Sequence, residues 1–257
     1  MFRAGVLPAD TGHAKRERVT ISLRERGVRG VLLDIEGTTT PVSFVYDVLF
    51  PYAVEHLSSY VASHAGQPEL DESVRLLTKE WDDDVACGTN PPPRDSSPGW
   101  VVDYAAWLMQ QDRKSPGLKL LQGRIWEGGY ADGSLRGDVY PDVPPALARW
   151  RDNGLSIAIY SSGSVLAQQL LFSTTAYGDL TRFVGQYFDT GVGPKREALS
   201  YERIAEAMSL TSASVLFVSD VIAELDAARG AGMQVIHCVR DAGDSAADAV
   251  RSFDEIT

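Results

Sequence analysis

The sequence predicts an α/β protein built on a doubly wound parallel sheet, with an all-helical subdomain inserted after the first strand. Three observations predict it. Short β-branched or apolar runs recur at 31–33, 155–160, 187–188, 215–218 and 235–239, and helical patterns separate most of them, as right-handed crossovers in a parallel sheet require. The first run ends in two acids, Asp34 and Glu36, followed at once by Gly37 and three threonines; ligands of such sheets sit beyond the carboxyl ends of the strands. Over a hundred residues then separate the first strand from the second, too many for an ordinary crossover.

Taken in order, the first strand delivers Asp34 and Glu36 to one side of an extended chain, because side chains alternate with period two. The long gap shows helical patterns at 46–63, 69–87, 100–112 and 118–128. Turn residues separate them: Gly66, Gln67 and Pro68, then Asn90 with Pro91, Pro92 and Pro93, then Ser115, Pro116 and Gly117. Trp81, Trp100, Trp107 and Trp126 supply packing surface for this insertion, and any one of them is a candidate to line a substrate cavity. Beyond it, Pro144 and Pro145 lead into a helix over 146–153 that Gly154 stops. The second strand follows, then a weak third, a helix over 197–210, the fourth strand, a helix over 221–231 ending at Gly230 and Gly232, and the fifth strand. The resulting division is an N-terminal extension over 1–28, expected to be a loosely attached tail, a core over 29–45 and 137–257, and a helical cap over 46–136. The extension carries Lys15, Arg16, Arg18, Arg24 and Arg26, to which no function is assigned.

Composition narrows the function classes. At 257 residues with a hydrophobic fraction of 44%, the chain can bury one large core with a sizeable insertion. With 35 acids against 24 bases, its formal net charge of -11 opposes non-specific binding to nucleic acid or to an anionic membrane. Cys87 and Cys238 make no disulfide framework, and the four histidines show no zinc spacing with them. These features lead to the expectation of a cytoplasmic protein. No apolar run approaches the roughly 18 residues of a membrane span, and residues 1–28 lack the apolar core of a signal peptide.

Four strand ends contribute polar groups to one edge. The first carries Asp34, Glu36 and Thr38; the second Ser161, Ser162, Gly163 and Ser164; near the third stands Lys195; after the fourth come Asp220 and, one helical turn later, Glu224. Each has an ordinary reading alone, as a capping turn, a solvated lysine or a first-turn acid. Independent caps, however, have no reason to fall in this order at successive strand ends. Together they describe a phosphoryl-transfer site. An aspartate is ionised at neutral pH and can attack phosphorus without a base, but its charge repels a phosphate dianion. A hard cation such as Mg2+, held by Asp34, Asp220 and the main chain near Glu36, would offset that repulsion, and Lys195 would neutralise the other oxygens. Ser161 and nearby backbone N–H groups can cradle a phosphoryl oxygen. Glu36 is placed to protonate the leaving oxygen and later to take a proton from water.

This order of motifs resembles the haloacid-dehalogenase superfamily, whose first motif is Asp-x-Asp-x-Thr and whose later motifs supply a Ser or Thr, a Lys and an acidic pair. Here Glu36 replaces the usual second aspartate. The run Asp-Ile-Glu-Gly-Thr-Thr-Thr-Pro-Val-Ser-Phe-Val over 34–45 is similar to the enolase-phosphatase E1 family of methionine salvage, as are the stretches 137–143, 160–164 and Ser219, Asp220 and Glu224. The likeness covers roughly 30–239 and implies a Rossmann-like core under a helical cap. It also implies a monomer with one Mg2+ per subunit that enolises and then dephosphorylates a small phosphorylated diketone. Residue by residue, it implies that Asp34, Glu36 (through its main-chain carbonyl) and Asp220 hold the metal with Glu224 as a supporting acid. Asp34, Glu36 and Lys195 are then the catalytic residues, while Thr38, Ser161, Ser162, Gly163 and Lys195 bind substrate.

Two features depart from the pattern: Ser219 stands before Asp220 where relatives often have Thr, and Ile222, Ala223, Glu224 and Leu225 follow. Both keep a hydroxyl and the acids. Two other readings use the same residue types. One is a capped phosphatase for a sugar phosphate or phosphoglycolate, which a large cap suits equally well. The other is a receiver-like signalling domain, but such domains place an acid pair before the accepting aspartate and carry no helical insertion there. The base for enolisation and the cap residues that meet the substrate tail are not identified by the sequence.

Overall fold

In a computed structural model, which describes residues 20–113, 115–240 and 249–257, five parallel strands form one sheet in the order β3-β2-β1-β4-β5. They are β1 (Gly30–Leu33), β2 (Ser156–Tyr160), β3 (Gln186–Phe188), β4 (Val215–Ser219) and β5 (Gln234–His237). The central strand β1 pairs with β2 on one side and β4 on the other. All four of its residues are buried, as expected of a strand covered on both faces. Alternate side chains divide between two layers. Val31, Leu33, Ile157, Ile159, Leu216 and Val218 join one core cluster, whereas Leu32, Ala158, Tyr160, Val215 and Phe217 join the other.

The helices fall close to the predicted places. The cap contains α1 (Phe50–Ser63), α2 (Pro68–Ala86), α3 (Gly99–Gln110) and α4 (Pro116–Asp132). Leu57, Leu77, Trp100, Tyr104, Leu108, Leu121 and Ile125 form a hydrophobic cluster of their own there, which supports treating the insertion as a separate folding unit. In the core lie α5 (Val143–Asp152), α6 (Val165–Ser173), α7 (Ala198–Ala207) and α8 (Ile222–Gly230). Pro91 to Pro93 break the chain between α2 and α3 as anticipated.

Two local features go beyond the sequence reading. The helix α6 was not anticipated; Ser164 starts it, its side chain accepting from Ala167 N–H at 3.3 Å. A π-helical stretch, Phe44–Leu49, runs directly into α1, with the Phe50 N–H donating to Val45 O. Pro51, at the start of α1, has no N–H to continue an α-helical ladder back into that stretch.

The N-terminal division needs correction. Residues 1–19 lie outside the described residues, but Ile21, Leu23 and Val28 are buried in the same cluster as Phe253 and Ile256. Ile21 N–H donates to Glu255 O at 2.7 Å, and Thr257 N–H returns a bond to Ile21 O at 2.8 Å. Three apolar side chains and this backbone pairing tie residues 20–28 to the core. No helix among the described residues is long and apolar enough to cross a membrane, and both cysteines are free.

Candidate active site

The carboxyl ends of β1, β2 and β4 converge as predicted. Asp34 is 2% exposed, and its carboxylate is held on both oxygens. Oδ1 accepts from Lys195 Nζ at 2.5 Å and from Ile35 N–H at 2.8 Å, while Oδ2 accepts from Ser219 Oγ at 3.0 Å. Lys195, 7% exposed, also lies 2.7 Å from Glu224 Oε2. Burial alone would favour the neutral amine, but the charges of Asp34 and Glu224 reverse this and raise the Lys195 pKa above the ordinary lysine range.

The loop that delivers Lys195 is fixed by three neighbours. Tyr160 Oη donates to Gly193 O at 2.7 Å, Ser200 Oγ to Pro194 O at 2.8 Å, and Tyr201 Oη to Lys195 O at 2.7 Å. Gly193 has φ +144°, and a Cβ there would lie 2.3 Å from Ser200 Oγ, so only glycine fits the turn.

Ser161, at the end of β2, donates to Glu36 Oε2 at 3.4 Å, and its Oγ accepts from Gly163 N–H at 3.0 Å. Ser162 and Gly163 line a cavity of about 580 Å3 together with Glu36, Ser161 and residues of the cap. Ile35, the residue after Asp34, also lines it, whereas Asp34 and Lys195 do not. Gln168 on α6, which carries no local sequence signal, anchors this segment by donating to Gly163 O at 2.8 Å and Phe188 O at 2.9 Å.

Two of the predicted roles change. Thr38 was expected to bind phosphate, but it is fully buried and its Oγ1 accepts from the Asp220 N–H at 3.1 Å. It positions an acid instead of facing the opening. Glu224 was expected to support the metal, yet its carboxylate is committed to Lys195 and accepts from Ser219 Oγ at 3.3 Å. It braces the lysine. Arg240, also unforeseen, donates to Thr38 O from Nε at 2.9 Å and Nη2 at 2.6 Å, tying the acidic loop to the C-terminal segment.

The remaining acid fits a cation. Asp220 Oδ1 is buried with no hydrogen-bond partner among the described residues, an arrangement that is costly unless another ligand completes it. Burial, and then the charge of Asp34, push its carboxyl up to about 6. Gly37, at φ +71°, admits Asp220 because a Cβ there would fall 2.2 Å from Asp220 Oδ2. No group of three or more His, Cys, Asp or Glu side chains among the described residues is arranged to hold a metal. Two carboxylates and a main-chain oxygen are nonetheless a sufficient protein contribution for Mg2+, which keeps several waters. Asp34, Asp220 and the Glu36 carbonyl are the donors that would hold it.

A haloacid dehalogenase-like hydrolase family model matches residues 28–232. The chain is 50% identical over 218 residues to enolase-phosphatase E1 of Sorangium cellulosum, covering 82% of this chain and 88% of the relative. It is 46% identical over 238 residues to enolase-phosphatase E1 of Synechococcus elongatus, covering 88% and 96%. The chain belongs to the enolase-phosphatase E1 family. A solved structure adds to this: the UTR4 protein of Saccharomyces cerevisiae superposes with a TM-score of 0.70 at 30% identity, covering 90% of this chain and 97% of that one. Within this enolase-phosphatase E1 chain, the cap also lines the cavity, through Tyr46, Leu49, Phe50, Met109 and Trp126. Of the four cap tryptophans, Trp126 is the one on this wall; its indole donates to Leu49 O at 2.8 Å and its ring stacks on Phe50.

Proposed function

We propose that the chain is a bifunctional enolase-phosphatase of methionine salvage, acting as a cytoplasmic monomer with one Mg2+ per subunit. It enolises 2,3-diketo-5-methylthiopentyl-1-phosphate and then hydrolyses the phosphate, giving 1,2-dihydroxy-3-keto-5-methylthiopentene and inorganic phosphate. The observation that carries this reading is the buried Asp34 carboxylate held 2.5 Å from Lys195, next in sequence to Ile35 and Glu36, which line the cavity with Ser161.

In the phosphatase step the Asp34 carboxylate attacks phosphorus, and the bond from phosphorus to the substrate oxygen breaks. Lys195 remains protonated beside it and offsets charge on the phosphoryl oxygens. Ser161 and the N–H groups of the turn that follows it cradle a further oxygen. Glu36, at the cavity wall, gives its proton to the departing oxygen. It then takes one from the water that attacks the aspartyl-phosphate, returning Asp34 and releasing phosphate. When bound, Mg2+ supplies charge neutralisation between the nucleophile and the phosphate.

The cap has an apolar wall suited to a methylthio tail. The test is substrate preference: with Mg2+, the diketo phosphate should release phosphate much faster than phosphoglycolate or a sugar phosphate. The reverse preference would overturn the reading.

A further inference from the structure

The cap side of the cavity has an internal polarity that the phosphoryl site leaves unexplained. Lys119, Gln122 and Trp126 of α4 all line it, and spacings of three and four residues stack them on one helix face. Gln122 is 6% exposed as a residue and contributes an amide to this lining. Its amide offers two donors and an acceptor to a ligand in the cavity. Lys119 Nζ lies 3.0 Å from Thr190 Oγ1, in the loop between β3 and Lys195, so this cap cation is already held against the core. Phe50, Met109, Trp126 and Leu171 make the neighbouring wall apolar. Glu36 and Ser161 to Ser164 line the same cavity.

From this arrangement we infer that Lys119 and Gln122 form a subsite for the two adjacent carbonyl oxygens of a phosphorylated diketone. The inference rests on the enolase-phosphatase reading. A substrate with its phosphate at Asp34 and Lys195 and its apolar end against Phe50 and Trp126 carries its carbonyl groups between them. There it meets the donors of Lys119 and Gln122. The two side chains also suit the enolisation. In that step the C1–H electron pair becomes part of a C1–C2 double bond, and the C2 carbonyl pair moves onto oxygen. The proton lost from C1 is balanced by one gained at that oxygen, so no oxidant or co-reactant is needed. Negative charge develops on the oxygen as this happens, and an ammonium and an amide N–H at the cavity wall stabilise it.

The experiment compares two substrates of the full-length protein with Mg2+: the diketo phosphate, and p-nitrophenyl phosphate, which has no adjacent carbonyl groups. Lys119→Gln should lower the selectivity for the diketo phosphate over p-nitrophenyl phosphate about 100-fold, the scale of losing one oxyanion donor. Gln122→Met should lower it about 10-fold, with the loss visible in the rate at which enol absorbance appears. Lys119→Arg should recover part of the selectivity. Equal losses on both substrates, or no loss, would overturn the subsite. If the parent protein hydrolyses p-nitrophenyl phosphate but not the diketo phosphate, the functional reading itself fails. If the parent handles both and the variants match it, the subsite alone fails.

Discussion

The amine of Lys195 lies 2.5 Å from Asp34 Oδ1 across 161 residues of sequence. Its second carboxylate partner, Glu224, is 2.7 Å away on the other side. One buried cation thus holds two buried carboxylates. The pairing fixes the orientation of Asp34, and without the lysine the acids would face each other uncompensated.

Lys195→Met should therefore act on both stability and catalysis. Removing one member of a buried ionic cluster typically costs about 3–5 kcal/mol, and loss of a fixed positive charge beside the phosphate should cost at least about 100-fold in kcat/KM. Urea unfolding and steady-state kinetics measure the two effects. A variant with parent-like kinetics would remove Lys195 from the site.

Gly37→Ala should damage metal binding. The residue has φ +71°, and the added Cβ would meet Asp220 Oδ2 at 2.2 Å. Backbone strain alone is worth about 1 kcal/mol, while displacement of Asp220 should raise the Mg2+ concentration needed for half-maximal activity by about 10-fold or more. A Mg2+ titration decides it. Unchanged Mg2+ dependence would mean that Asp220 is not a ligand.

Acid should loosen the C-terminal clasp. Burial would raise the Asp142 carboxyl, but the hydrogen bond and charge of Arg240, with the N–H of Phe253 and the hydroxyl of Ser252, outweigh it and hold the group below the ordinary aspartate range. The unfolded chain then binds the proton more readily than the native protein does. This contribution is fully present above the unfolded value near 3.9 and is lost as pH falls through the lower native one. Melting curves of the parent and Asp142→Asn should differ at pH 6 and converge toward pH 3. A constant difference would contradict the assignment.

The sheet and the order of the site motifs were legible because they rest on local patterns: apolar runs, glycine and proline punctuation, and acids at a strand end. What escaped depends on side chains meeting across the fold. Ser161 to Ser164 show both sides of this. The run was open to a capping or a phosphate-binding reading, and it performs a capping role at Ser164 while placing Ser161 3.4 Å from Glu36. Glu224 follows the fourth strand in the expected place, but only the tertiary approach of Lys195 gives it a brace's role. Gln168, Arg240 and Gln122 carry no local signal at all; each acquires its role from a segment distant in sequence or from the cavity. Residues 20–28 were misjudged because their apolar residues are few, and their burial depends on the C-terminal segment closing over them.

The most direct measurement follows enol absorbance and phosphate release together, from the diketo phosphate with Mg2+, for the parent and for Asp34→Asn. The parent should show transient enol absorbance followed by one equivalent of phosphate. Asp34→Asn should retain the fold while losing phosphate release by more than about 1,000-fold, since a carboxamide cannot form the aspartyl-phosphate. Phosphate release at the parent rate from Asp34→Asn would contradict the account.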